Sequence, residues 1–253
     1  MVRRSGLFIP RFSHDARMNT ADFLATVPLF ARVEREELER LADVTRERQY
    51  PKGSVIVFED DPGDSLFIVR EGRVKVVLVS EDGREVILGV LGVGEHFGEL
   101  SLIDEQPRSA HVIAMEDANL LVLRRDDFRR RVEATPALAW SLLVELSRRL
   151  RRTDAKVGGL VLLDVPGRIA RLLLDAASDG GSDTIDKPLT HQTIAQMIGA
   201  SRETVSRAMS DFQEAGLISV VRRRITIANR EALEQRAHAK GLNSGESGVV
   251  SRE

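Results

Sequence analysis

The chain contains no cysteine among its 253 residues. Disulfides, thiolate-held iron–sulfur clusters and four-cysteine zinc sites are therefore excluded. Histidine is sparse: His14, His96, His111, His191 and His238 are scattered, and none forms an H-E-x-x-H pair, so no metal is expected. No apolar run approaches the roughly 18 residues that would suggest a membrane span. Arg3-Arg4 is not followed by the apolar segment of a signal peptide. These absences predict a cytoplasmic protein. The net charge is only −2, with 42% hydrophobic and 30% charged residues, which reads as soluble and globular. The length suffices for two modest domains with real cores.

Against this background one stretch concentrates polar chemistry: Phe97-Gly-Glu-Leu-Ser-Leu-Ile-Asp-Glu-Gln-Pro-Arg-Ser-Ala110. Gly98 lets a ligand or backbone approach closely. Glu99, Leu100 and Ser101 can form a helical turn whose N–H groups favour an anion. Arg108 offers a planar guanidinium to phosphate oxygens, and Ser109 adds a hydroxyl and an N–H. Glu99 can accept from a sugar hydroxyl. The same residues also read as a plain surface turn with a Glu–Arg pair, worth little energetically. No nucleophile–base pair accompanies them, so no catalytic activity is expected.

In chain order, residues 1–18 are basic and aperiodic and read as a flexible extension. Asn19 or Thr20 is positioned to cap a short helix carrying Phe23 and Leu24, and Val33 to Val44 reads as a second helix. From Tyr50 the pattern becomes short apolar runs between turns: Val55–Phe58, Leu66–Val69, Val74–Val79, Val86–Leu91, His111–Met115 and Asn119–Leu123. Such spacing predicts an antiparallel sandwich or roll over 19–135, with Asp82-Gly83 as a hairpin turn. Pro136 opens a long helix to about Leu163. Its residues Leu143, Leu146, Leu150, Thr153, Val157 and Leu160 recur at spacings of 3, 4, 3, 4 and 3, a heptad seam suited to a partner helix from a second copy of the chain, the competing reading being a helix packed on its own β-roll. Thr153 is the polar exception on that seam.

Asp164-Val-Pro-Gly167 breaks the helix and caps the next, which runs to about Ala177, and Ser178 to Pro188 reads as a polar loop. A helix over Thr190–Gly199, a turn at Ala200-Ser201 and a helix over Arg202–Glu214 give the plan of a helix-turn-helix, with Ala195, Ile198 and Val205 at its internal contacts. Arg202, Glu203 and Arg207 stand near the start of the second helix. Arg can bond both acceptors of guanine, and Glu can accept from cytosine. Gln192, Ser201, Thr204 and Ser206 are small polar groups suited to phosphates. Arg222-Arg-Arg224 followed by Ile225–Ile227 reads as a basic wing, closing a winged helix-turn-helix domain over 164–240. Residues 187–230 hold seven cations against three anions, a local charge of +4 in an otherwise acidic chain. The competing reading is a small helical domain with a solvated basic face. Helix residues after Ala232 and the tail over 241–253 read as frayed or flexible.

Two stretches carry a family resemblance. Phe97–Ala110 resembles the phosphate-binding cassette of cyclic-nucleotide-binding domains. Ser201-Arg-Glu-Thr-Val-Ser-Arg207 resembles the recognition helix of the cyclic-AMP receptor protein (CRP/FNR) family. The likeness spans roughly residues 20 to 230. It implies an α+β chain with an eight-stranded β-roll, a dimerisation helix over 136–163 and a winged helix-turn-helix. It implies that Glu99 binds the ribose 2′-hydroxyl and Arg108 the cyclic phosphate, with Gly98, Leu100 and Ser109 beside them. Thr153 would meet the purine, and Arg149 would pair with Glu99. Asp154 stands where the family has Ser, and His191 where it has Arg, which leaves the purine identity open and thins one phosphate contact. The implied function is a homodimeric regulator that binds an inverted TGTGA-like repeat, answers to cyclic AMP or another cyclic purine nucleotide, and meets RNA polymerase. Two alternatives stay open: the same fold binding DNA without a ligand, and a nucleotide-sensing module regulating an enzyme.

Overall fold

The computed structural model describes residues 18–185 and 189–238. The segments expected to be flexible before residue 18 and after residue 240, and Lys187, lie outside the described residues. Helix α1 (Thr20–Thr26) starts as the sequence predicts: Asn19 Oδ1 accepts from the Asp22 N–H at 2.8 Å. A single 3-10 turn (Pro28–Phe30) leads into α2 (Arg35–Val44), which buries Leu38 and Leu41.

Strands β1 (Arg46–Tyr50), β2 (Val55–Val57), β3 (Ser65–Glu71), β4 (Val74–Val79), β5 (Glu85–Leu91), β6 (His96–Phe97), β7 (His111–Ala114) and β8 (Ala118–Arg124) form two antiparallel four-stranded sheets. Their orders are β1-β8-β3-β6 and β2-β7-β4-β5. Strands β3 and β8 read as near-continuous apolar runs because both of their faces are covered. Leu66, Ile68, Leu121 and Leu123 point to the helices, while Phe67, Val69, Leu120 and Val122 point to the second sheet. Each such side chain contributes about 1.5–3 kcal/mol on full burial. Strand β1 was not expected before Tyr50. Its Arg-Glu-Arg-Gln-Tyr sequence has no apolar run, and it is a strand because it pairs along β8, with charged side chains blunting the exposed edge.

The six-residue helix α3 (Glu99–Asp104) interrupts the roll between β6 and β7. A ten-residue helix the sequence reading did not separate, α4 (Arg125–Ala134), precedes α5 (Pro136–Leu162). Helix α5 buries Leu138 and Leu142 on its own roll. Leu146 is partly buried against the same core. Leu143, Leu150, Val157 and Leu160 remain more than half exposed, at 56, 62, 54 and 53%. No helix among the described residues is long and apolar enough to cross a membrane.

Helix α6 (Val165–Gly180) begins where expected, Asp164 Oδ1 accepting from the Gly167 N–H at 2.8 Å. It runs past Ala177, and β9 (Thr184–Ile185) follows, so part of the expected polar loop is structured. Helices α7 (His191–Ile198) and α8 (Arg202–Glu214) form the helix-turn-helix, and β10 (Ile218–Val221) and β11 (Arg224–Ile227) form the wing, in a sheet ordered β10-β11-β9. Helix α9 (Arg230–His238) corrects the expectation of fraying after Ala232. Leu233 and Ala237 are buried in the domain core, and Arg236 donates to Asp164 Oδ2 at 2.8 Å. A short amphipathic helix is held here by packing rather than by propensity.

Candidate functional site

The first site is built where β6 turns into α3. Gly98 sits at φ 87°, a region costly for any residue with a Cβ. A Cβ there would lie 2.5 Å from Arg108 Nη1 and 2.8 Å from the Ser65 carbonyl. Gly63 is equally required: a Cβ on it would lie 2.4 Å from Ser101 Cβ. The two glycines therefore leave a cradle that side chains would fill. Into it come three buried polar residues, Glu99, Ser101 and Arg108.

Arg108 donates Nη1 to the Gly98 carbonyl at 2.9 Å and Nη2 to the Ser65 carbonyl at 2.8 Å. Its guanidinium lies 5.8 Å from the ring centre of Phe67, which stacks on Phe97. The Arg108 backbone is tied to the Phe58–Asp61 turn, donating to the Asp61 carbonyl and accepting from the Asp60 N–H, both at 2.9 Å. Burial lowers its pKa against the pull of Asp64 and Glu99. The cation is thus aimed by the fold, not left to wander in solvent, which reduces the ordering cost of meeting an anion.

Glu99 is 2% exposed. Its Oε1 accepts from Arg149 Nη1 at 2.7 Å, while Oε2 is buried without a hydrogen-bond partner among the described residues. Burial raises the Glu99 pKa, with Arg149 opposing it. An orphaned buried carboxylate oxygen is costly unless a donor arrives, and a ribose hydroxyl has the right chemistry. The cradle, the aimed cation and this orphan oxygen together fit a sugar–phosphate ligand. Arg149 also donates to the His96 carbonyl. His96 itself is buried, and burial together with Arg149 lowers its pKa to about 3. Sequence reasoning missed His96, Gly63 and Ser65, and singled out Ser101 only for its place in the helical turn. Their only signal was proximity to turns.

The other expected ligand residues are less gathered. Leu100 and Ser109 are exposed at the rim. Thr153 lies one turn beyond Arg149 on the same face of α5, its hydroxyl donating to the Arg149 carbonyl at 3.0 Å. Asp154 is exposed and turned off that face.

The second site is a surface. Thr190 caps α7, accepting from the Thr193 N–H at 3.1 Å, and Gly199 ends it at φ 66°. Arg168 Nη1 reaches over from α6 to the Ile198 carbonyl at 2.8 Å, a cation on a helix C-terminus. Ser201 caps α8, accepting from the Thr204 N–H at 3.1 Å. Ala195, Ile198 and Val205 are buried between the helices, as expected. Arg202, Glu203, Arg207 and Gln192 are exposed, with Thr204 and Ser206 half-buried beside them. Glu203 has its pKa lowered by its own backbone N–H and by the Ser201 hydroxyl. An exposed helix face carrying two guanidinium groups and an ionised carboxylate can address base edges in a major groove.

Comparison with known proteins covers both regions of the chain. Residues 47–135 match the cyclic nucleotide-binding domain model, and residues 167–236 match the Crp-like helix-turn-helix domain model. The chain is 35% identical over 221 residues to a CRP-like cAMP-activated global transcriptional regulator of Mycobacterium tuberculosis, covering 85% of this chain and 99% of that protein. It is 34% identical over 208 residues to the cyclic AMP receptor protein of Thermus thermophilus, covering 82% and 95%. Among solved structures, the c-di-GMP-responsive global regulator CLP of Xanthomonas campestris superposes with a TM-score of 0.67 at 25% identity, over 78% of this chain and all of that one.

Proposed function

The chain belongs to the CRP family of cyclic-nucleotide-responsive, DNA-binding transcription regulators, and from that premise we propose that it works as a homodimer. The exposed Leu143, Leu150, Val157 and Leu160 of α5 form the seam between copies. A cyclic purine nucleotide, cyclic AMP first among them, docks at the cassette. Arg108 and the Ser109 N–H hold its phosphate, Glu99 Oε2 accepts from its ribose, Gly98 shapes the floor and Leu100 the rim. Thr153 meets the purine, with Asp154 at its edge. Arg202, Glu203 and Arg207 read an inverted TGTGA-like repeat. Gln192, Ser201, Thr204 and Ser206 hold phosphates. The bound dimer then presents itself to RNA polymerase.

The observation that carries this reading is the Glu99–Arg149 bond, 2.7 Å long, between the cassette and the seam helix. A donor arriving at Glu99 competes with or reinforces that bond, and so acts on α5. Helix α5 ends at the Leu163–Asp164 break, beyond which Asp164 is tied to α6 and α9. Two sites and one element between them meet the physical requirement for coupling.

The test is fluorescence anisotropy on an inverted TGTGA-type duplex at stated salt, with and without cyclic AMP. Tightening of tenfold or more, about 1.4 kcal/mol of coupling, is expected. Arg108→Ala should abolish that dependence, and unchanged nucleotide affinity in this variant would sink the assigned pocket. A second reading keeps the DNA binding and drops the nucleotide. It is favoured by Asp154, an exposed carboxylate beside Thr153. Tight binding that ignores cyclic AMP, cyclic GMP and cyclic di-GMP would select it.

A further inference from the structure

The apolar seam of α5 has two flanks, and they carry opposite charge. Leu143, Leu150 and Val157 take the a positions of the heptad, and Leu146, Thr153 and Leu160 the d positions. That sets Leu142, Arg149 and Lys156 at g, and Ser147, Asp154 and Val161 at e. Arg149 and Asp154 lie about 140° apart round the helix, one on each side of the apolar stripe. Asp154 is the only anion on either flank.

Their own chain treats the two residues differently. Arg149 is turned to the roll, where Nη1 donates to Glu99 Oε1 at 2.7 Å and Nη2 to the His96 carbonyl. Glu145 Oε1 stands 3.7 Å from its Nε. The side chain keeps 28% exposure, and a guanidinium has further N–H groups for another acceptor. Asp154 is exposed and has neither a hydrogen bond nor an ion pair among the described residues. Arg151, one turn before it on the same helix, does not bond it.

A second copy supplies the missing partner. Two recognition helices that address one duplex lie at the same end of the paired α5 helices, so those helices run parallel. In a parallel pair the g residue of one helix faces the e residue of the following heptad on the other. Arg149 of one copy is thereby set against Asp154 of its partner, twice by symmetry. Leu142 faces Ser147 and Lys156 faces Val161 in the same scheme, so no other flank pair is charge-complementary.

We propose that Asp154 of each copy forms an ion pair with Arg149 of the other, completing each cassette from across the seam. This rests on the homodimer reading above and adds a residue that the second copy contributes to the site. One guanidinium then holds two carboxylates, Glu99 of its own chain and Asp154 of the partner subunit. A donor arriving at Glu99 Oε2 alters how Glu99 holds Arg149, and with it how Arg149 holds the partner's helix.

The test is dimer dissociation of the full chain without nucleotide, by sedimentation equilibrium at low and high salt. Asp154→Ala should weaken the dimer about tenfold at low salt, the sum of two modest ion pairs, and less at high salt. Asp154→Lys sets like charges together at both pairs and should weaken it further. Mixing Asp154→Lys with Arg149→Glu should give a heterodimer tighter than either variant forms alone, because one native pair and one exchanged pair then face each other. Should Arg149→Glu fail to fold beside Glu99, the two Asp154 variants carry the test.

An Asp154→Ala dimer as tight as the native one at both salts overturns the proposal. So does a mixture of folded variants that forms no heterodimer. A change in cyclic AMP affinity on Asp154→Ala, by calorimetry, with the ligand-free dimer constant unmoved would give Asp154 to the ligand alone and likewise overturn it. A native dimer indifferent to Asp154 refutes only this inference. A native chain that sediments as a monomer refutes the dimer reading beneath it as well.

Discussion

The cassette and the recognition helix each use glutamate and arginine, under opposite conditions. Glu99 is buried, and burial raises its pKa; Glu203 is exposed, and its own N–H and the Ser201 hydroxyl lower its pKa. Arg108 and Arg149 each hold main-chain carbonyls of the roll. Arg202 and Arg207 stand in water on α8. The first site is wired into the fold, so a ligand that changes it must change what it is wired to. The second is carried by the fold but not needed for it, so its reading of DNA can be altered without loss of structure.

That contrast is broken most severely by Gly98→Ala. The new Cβ would meet Arg108 and the Ser65 carbonyl, at a φ of 87°. We expect a loss of about 3 kcal/mol in urea unfolding. Gly199→Ala is the matched control on the DNA side. It also has positive φ, but the nearest atom lies 3.8 Å from its Cβ, so it should cost about 1 kcal/mol. Equal costs would mean that the cassette is no more tightly built than a helix cap.

Arg149→Ala comes next. It leaves Glu99 buried beside no cation on α5, which in a wholly buried pair costs 3–5 kcal/mol. Arg149 keeps a 28% exposed side chain and Glu99 can protonate, so about 2 kcal/mol is expected. Combining it with Glu99→Gln should recover most of that stability and none of the nucleotide affinity, by urea titration and calorimetry. Recovery of affinity would show that the pair is not part of the pocket.

His96 sharpens the same point through pH. Its folded-state pKa of about 3 lies below the ordinary 6.5. Between those values the unfolded chain takes up a proton that the folded one refuses, so stability is full above 6.5 and falls as the pH drops. From pH 6.5 to 5 the loss is about 2 kcal/mol. Glu99, with its raised pKa, acts in the opposite sense, so the difference between the native chain and His96→Leu isolates the histidine. Parallel pH profiles for the two would refute the assignment.

What was legible in the sequence follows the same division. The helix-turn-helix was legible because its signals are local: a helix from Thr190 stopped by Gly199, a turn at Ala200-Ser201, and Arg202, Glu203 and Arg207 among apolar positions, whereas the capping roles of Thr190 and Ser201 were not read. The cassette was legible only in its contiguous part, Gly98 to Ser109. Gly63, Ser65 and His96 join it through strand pairing and packing, over separations that no local pattern reports. Strand β1 was hidden for the same reason, since Arg46 to Tyr50 is a strand only because β8 pairs with it. Helix α9 was misread because its helicity comes from burying Leu233 and Ala237 against a domain core that periodicity over nine residues does not announce.

The smallest expected effect on the fold is Glu203→Ala, and it is also the sharpest test of the comparison. Glu203 is exposed in the first turn of α8. Its helix keeps the Ser201 cap and the buried Val205, Ala208, Met209 and Phe212, so thermal unfolding should not shift measurably. On DNA the change should be directional. Removing an acceptor for the cytosine amino group relaxes the choice at one base pair by roughly tenfold, while non-specific binding changes little or tightens as a negative charge leaves. Anisotropy against duplexes substituted at each half-site position separates these outcomes. A loss spread evenly over all sequences would make Glu203 an electrostatic neighbour rather than a base reader. A fall in unfolding midpoint would place it, like Glu99, among residues the fold depends on, and the two sites would no longer stand apart.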